Sequence, residues 1–184
     1  MKSRRIAGSA LLLAAVALGA SQASGQAPPA PAAPSLYQVE IVVFRQGGGA
    51  DGAPGPTVVP GTPVPVAATD LRLGGVVRRL TTTGYQPLLH AGWRQPVTPR
   101  FQAFTANASR PPASVTATVY QQGGLLLEID ATVAGVGPPA DSGDPGVVRL
   151  RATRRIGNGN LHYFDHPDFG VIAAVRPVVA ASSE

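Results

Sequence analysis

The sequence predicts an α+β domain, a mostly antiparallel sheet of about six or seven strands with one helix packed on one face. Three observations lead there. A strongly alternating stretch, "YQVEIVVFR", opens the folded part; one helical stripe follows it; and every strong pattern from Tyr85 onward has the two-residue period of a strand.

Taken in order, Tyr37, Val39, Ile41 and Val43 fall on one face of the first strand, as in a well-buried strand. Residues 46–69 form a Gly/Pro-rich insert, expected as a flexible surface loop because a long structureless segment cannot sit inside a compact core. Asp70 is the expected N-cap of the helix. Leu73, Val76 or Val77, and Leu80 make its apolar stripe, and Gly84 stands where it would stop. Gly74, Gly75 and three threonines weaken it, so it depends on packing against the sheet. The remaining strands are "YQPLLHAGW", "RFQAFTA", "SVTATVY", "LLLEIDATV", "VVRLRATRRI" and "VIAAVRPVV", parted by Gly- and Pro-rich loops.

The chain opens with the basic head Met1-Lys2-Ser3-Arg4-Arg5, an apolar run of 15 residues and a small-residue site at Ser21-Gln22-Ala23. That is the plan of a secretory signal peptide over residues 1–23, cleaved near Ala23. The run is shorter than the ~20 residues that span a bilayer, and no other stretch is long enough. Residues 24–35, "SGQAPPAPAAPS", read as an extended Pro/Ala tether, and 36–184 as a single domain. A periplasmic protein with no membrane insertion after cleavage is expected.

Three of the 15 basic residues lie in the leader, leaving 12 arginines against 10 acids, a net of +2. An arginine excess suits carboxylate partners, such as wall stem peptides or an acidic protein face, and is too slight to indicate nucleic acid. Without Cys, and with Lys2 its only lysine, the mature chain cannot be a thiol enzyme, a Schiff-base enzyme, a Walker-type phosphate binder or a Ser-x-x-Lys acyltransferase. No Gly-x-Ser-x-Gly occurs either.

Two polar clusters stand out. "LHYFDHPDFG" holds His162, Asp165, His166 and Asp168. Its His-x-x-Asp-His spacing matches a zinc motif only on a helix, and Pro167 disfavours helical geometry at His166. The preceding Asn158-Gly159 is a strong hairpin signal, predicted to place Arg155 beside His162 and Arg154 along the ring of Tyr163. A second turn built on Pro167 and Gly170 follows, with Asp165 and Asp168 accepting backbone N–H groups and Phe164 and Phe169 on the core side. The stretch reads as a sheet corner, with no metal. The other cluster, "LLHAGWRQP", reads either as core with a satisfied His90 or as a Trp93 platform flanked by Arg94 and Gln95, on which a sugar stacks and a carboxylate is held. On neighbouring strands Glu128 and Asp130 oppose Arg149 and Arg151, a charge ladder expected to pair 130 with 149 and 128 with 151 on a solvated face.

Together "YQVEIVVFR", "YQPLLHAGWRQPV" and "RRIGNGNLHYFDHPDFGVIAAVRPV" resemble, in order and spacing, the CsiV family of exported peptidoglycan-binding proteins. The patterns H-x-x-W-R-Q-P and R-R-x5-L-H-Y-x-D-H-P-x-F-G both stand unbroken. The chain departs from the family in having "LLLEID" where a "Y-L-H-L" type strand is usual, and in its Gly/Pro insert. The resemblance implies a non-enzymatic protein that binds peptidoglycan and supports a bifunctional penicillin-binding protein through its outer-membrane lipoprotein activator, with no cofactor. The matching motifs supply the candidate ligand-binding residues: His90, Trp93, Arg94, Gln95, Arg154, Arg155, His162, Tyr163, Asp165 and His166. The Arg149, Arg151 and Arg155 face is a further candidate surface for the wall. The alternative is an envelope protein-interaction module that does not touch the wall.

Overall fold

The first strand ends up in the middle of a sheet, as its unbroken burial demands. The computed structural model describes residues 36–46, 63–137 and 146–178, all within the compact unit Ala33–Glu184. Among these residues the strands are β1 (Leu36–Gln46), β2 (Val64–Pro65), β3 (Tyr85–Pro96), β4 (Thr105–Arg110), β5 (Ala113–Gln121), β6 (Leu125–Gly137), β7 (Gly146–Arg155), β8 (Leu161–Asp165) and β9 (Phe169–Pro177). One helix, α1, spans Gly74–Thr82. The leader and the tether lie outside the described residues.

The strands form two antiparallel sheets, ordered β2-β3-β1-β9-β8 and β4-β5-β6-β7. The expectation of one sheet with about six or seven strands is corrected to nine strands in two sheets among the described residues. Alternation shows that one face of a strand is buried; it does not show whether a helix or a second sheet covers it. Here both occur. Val39, Ile41, Val43, Leu89, Ala91, Trp93, Val171, Ala173 and Val175 face Val115, Ala117, Val119, Leu127, Ile129, Ala131 and Val133 of the other sheet in one core. On the opposite face of the five-stranded sheet, Leu73, Val77 and Leu80 of the helical segment cover Val42, Phe44 and Ala174 in a second, smaller core. The helix stripe and its packing follow the sequence expectation, and Gly84 ends the turn at φ +86°.

Four local expectations are corrected. Asp70 does not cap α1: it closes a 3-10 turn, Ala68–Asp70, and the N-cap position of the helix is Leu73. Residues 63–69, assigned to the insert, carry β2, paired with Trp93 and Arg94, and most of that turn; residues 47–62 lie outside the described residues. In "RFQAFTA" a 3-10 turn takes Arg100–Gln102, and β4 begins only at Thr105.

The fourth is the Asn158-Gly159 hairpin. The turn forms, with Gly159 at φ +76°, yet β7 and β8 do not pair. β7 pairs with β6 and β8 with β9, so this turn carries the chain from one sheet to the other. Gly159 N–H donates to Val175 O at 2.8 Å, tying the turn to the end of β9. A hairpin-type turn fixes the reversal of the chain; the partner of each strand is chosen by the core.

Candidate functional site

The outer face of the five-stranded sheet has a register row in which Gln38 of β1 is flanked by Arg94 of β3 and Arg176 of β9. Beyond the end of α1, this row floors a cleft of about 510 Å³ lined by Gln38, Arg72, Arg94, Asn158, Gly159, Arg176, Pro177 and Val178. Three guanidinium groups therefore converge on one hollow. Arg94 Nη2 lies 3.4 Å from Asp70 Oδ2, and Arg176 Nη1 lies 4.0 Å from Glu40 Oε2. Arg94 Nε and Arg176 Nη1 are both shut away from solvent without a hydrogen-bond acceptor among the described residues.

Glu40 is the organising charge beneath the cleft. It is fully buried and accepts Leu73 N–H at 2.6 Å, Arg72 N–H at 2.9 Å and His90 Nε2–H at 2.8 Å. Burial works to raise its carboxyl, but the His90 bond and the two backbone amides outweigh it and hold the group below its ordinary value. This carboxylate anchors Arg72 and the N-cap residue Leu73 at the entry to α1, whose own N-cap side chain makes no capping bond. Gly92, paired with Glu40, makes room for the segment above: a Cβ there would lie 2.5 Å from Leu71 Cδ2.

The first sequence motif is thus divided between the two faces of β3. Trp93 is 1 % exposed in the inter-sheet core, and Gln95, 0 % exposed, accepts its indole N–H at 2.7 Å. The expected platform is corrected: the ring faces the second sheet, because odd positions of β3 point inward. His90 is buried against Glu40, leaving Arg94 alone of the four in the cleft.

The second motif closes the β8–β9 hairpin and lines a separate hollow of about 300 Å³ with Phe44, Tyr85 and Phe169. Phe164 and Phe169 are core residues, as expected. Tyr163 O–H donates to Asp165 Oδ1 at 2.5 Å, and burial, followed by that bond, pushes its pKa up to about 12. His166 Nδ1 accepts Asp168 N–H at 3.2 Å and its ring stacks on Phe169. His162 Nε2 accepts Gly157 N–H at 3.2 Å. Arg154 does not lie along Tyr163; its guanidinium sits over the Phe164 ring, 4.9 Å from the centroid, and donates to Tyr163 O at 2.8 Å. Arg155, in the other sheet from His162, packs its guanidinium over the Gly123-Gly124 turn.

His90, Val42, Ile172 and Tyr163 form one register row, so the two motifs do share a sheet face. Helix α1 covers Val42 between them, and the two hollows stay separate. The charge ladder is present on the outer face of the other sheet, shifted by two residues: Asp130 pairs in register with Arg151, and Thr132 with Arg149. Asp130 accepts two bonds from Arg149 and one from Arg151 at 2.8 Å, while Glu128 takes Arg100 at 2.5 Å instead of Arg151. The Arg149 bonds foremost hold the Asp130 carboxyl down at about 2. Arg149 and Arg151 are therefore already paired.

Arg72, Arg176, Gln38 and Asn158 escaped the sequence reading. The available signal was parity: Gln38 and Arg176 are polar residues on the even face of strands whose odd face is apolar. Among the described residues no three His, Asp or Glu cluster to hold a metal ion, and no helix is long and apolar enough to cross a membrane.

Fold and site together define a two-sheet antiparallel domain with an arginine-lined cleft and no metal cluster among the described residues. Residues 102–178 match the family model of CsiV, described as a peptidoglycan-binding protein, and over that stretch the chain is CsiV-like. The match spans β4 to β9, holding the second motif and Arg176, and begins after the first motif. No curated protein and no solved structure matches the chain.

Proposed function

We propose that this chain is a non-enzymatic peptidoglycan-binding protein of the periplasm, exported by its leader and acting as an accessory of cell-wall synthesis. The observation that carries the reading is the match of residues 102–178 to a peptidoglycan-binding family. The histidines support the non-enzymatic part, since each is engaged in a bond that holds the fold: His90 to Glu40, His162 to Gly157, His166 to Asp168. Arg94, which lines the cleft, and Tyr163, Asp165 and His166, which line the smaller hollow, are the motif residues this reading assigns to ligand contact. A bifunctional penicillin-binding protein and its outer-membrane lipoprotein activator are the partners the resemblance implies.

Sedimentation of the purified protein with protein-free sacculi over a salt series tests the reading. Co-sedimentation that falls as salt rises is the expected result, because arginine–carboxylate attraction is screened. A protein left wholly in the supernatant at low salt overturns it. One observation favours a protein-interaction module instead: Leu161 and Tyr163 stand exposed on β8, the edge strand of its sheet. Stoichiometric co-purification of one envelope protein after complete wall digestion would decide for that reading.

A further inference from the structure

We propose that the cleft binds the free terminal carboxylate of a peptide, with Arg94 and Arg176 as its two jaws and Arg72 at its rim. The wall stem peptide as the source of that carboxylate rests on the function proposed above; the cleft chemistry rests on geometry.

Arg94 and Arg176 both pair with Gln38, so they stand two strands apart on one face. With neighbouring strands about 4.8 Å apart, their backbones are roughly 10 Å apart, a gap that two arginine side chains close on a single carboxylate from opposite sides. Arg94 Nε and Arg176 Nη1 lack an acceptor while hidden from water, so the protein leaves both guanidinium groups incompletely paired and their remaining N–H groups are the ones an oxyanion between the jaws would meet. Glu40 does not relieve it. Its two oxygens already take the Leu73 and Arg72 amides and His90, and Arg176 stays 4.0 Å away. Arg72 has no side-chain partner among the described residues, which leaves three cations over the buried Glu40 and the rim Asp70.

The cleft is larger than a lone ion needs. About 510 Å³ suits a short peptide end. Pro177 and Val178 offer an apolar wall for a methyl side chain, and Gln38 and Asn158 offer amides for the peptide backbone. Asp70, 3.4 Å from Arg94 Nη2, is farther than the 2.7–2.9 Å of a well-made charged bond, and acts as an internal competitor for the jaw.

Calorimetric titration of the full protein with N-acetyl-D-alanyl-D-alanine and with its C-terminal amide tests the assignment. The acid is expected to bind and the amide to bind at least about tenfold more weakly; Arg94→Gln and Arg176→Gln should each weaken the acid about tenfold or more. Asp70→Asn should tighten it, a gain that unfolding cannot mimic. Arg72→Gln, at an exposed position whose side chain has no partner among the described residues, serves where Arg176→Gln does not fold. Equal binding of acid and amide, or unchanged binding by the arginine variants, overturns the cleft. A sacculus arm separates the two readings. Equal retention of wild type and an Arg72→Gln, Arg94→Gln variant on sacculi overturns the cleft as the wall site and leaves wall binding standing. Wild type that binds the acid but ignores sacculi overturns the wall as its source.

Discussion

His90 Nε2 lies 2.8 Å from Glu40 Oε1, and through that carboxylate a side chain of β3 is joined to the Arg72 and Leu73 amides that lead into α1. The helix is short and glycine-led, so it holds its place through this anchor at its entry and through the Leu73, Val77 and Leu80 stripe. Glu40→Ala would leave the Arg72 and Leu73 N–H groups and His90 without their acceptor. A loss of about 3 kcal/mol or more in urea unfolding is expected, with a drop in helical circular dichroism. His90→Ala should cost less, since the carboxylate keeps both backbone donors.

The same carboxylate sets the acid limb of stability. Its folded pKa lies below the ordinary 4.5, so folding is favoured by its ionised form. That contribution is complete above the unfolded value and is lost as pH falls through the lowered folded value. Stability should therefore decline on acidification below about pH 4.5. Glu40→Gln should be weaker at pH 7 and decline less steeply over that window. Asp130, held at about 2, has the same sign, with its loss running down to about pH 2. Being at the surface beside solvated arginines it contributes less, so Asp130→Asn should change the acid limb little. Its carboxyl carbon shift should titrate near 2, and move toward 3.8 in Arg149→Gln.

Trp93 separates a core residue from a binding platform. Trp93→Phe keeps most of the apolar volume and deletes the indole N–H that Gln95 accepts inside the core. A destabilisation of about 1–3 kcal/mol is expected from the stranded Gln95 oxygen. Sacculus binding by the folded fraction should be unchanged. A variant of wild-type stability that no longer binds would place Trp93 at the surface instead.

Much of this was legible in the sequence. Alternation in "YQVEIVVFR" gave the face of β1 that meets the second sheet, though its other face is buried too, and the stripe at Leu73, Val77 and Leu80 gave the helix, because burial against one partner leaves a local periodic trace. What remained hidden was non-local. No local pattern records that β7 and β8 enter different sheets, or that a glutamate 33 positions before Leu73 anchors the start of the helix. The site shows the same division. "HAGWRQP" reads as one polar cluster, yet successive β3 residues point to opposite faces, sending Trp93 and Gln95 inward and Arg94 to the cleft. Arg72 and Arg176 are 104 positions apart in number, and only the pairing of β1 with β9 and the seat of α1 bring them to one hollow.

Gly170 offers the sharpest test of the second motif. It pairs with Phe44 across β1 and β9 and with Asp165 across the hairpin. The rings of Phe44 and Tyr163 stack above it with centroids 6.1 Å apart. A Cβ at this position would come within 2.6 Å of Phe44 Cζ and 2.7 Å of Tyr163 Cε2. Phe44 is locked by the helix-side core, so the more exposed Tyr163 has to yield, and with it the bond to Asp165. Gly170→Ala should therefore destabilise the fold by about 1–3 kcal/mol, as overpacking does. It should also bring the Tyr163 phenol down from about 12 toward the ordinary 10.0, read as ultraviolet absorbance of the tyrosinate against pH. An alanine variant of wild-type stability with an unmoved phenol would show that the rings do not meet over this glycine.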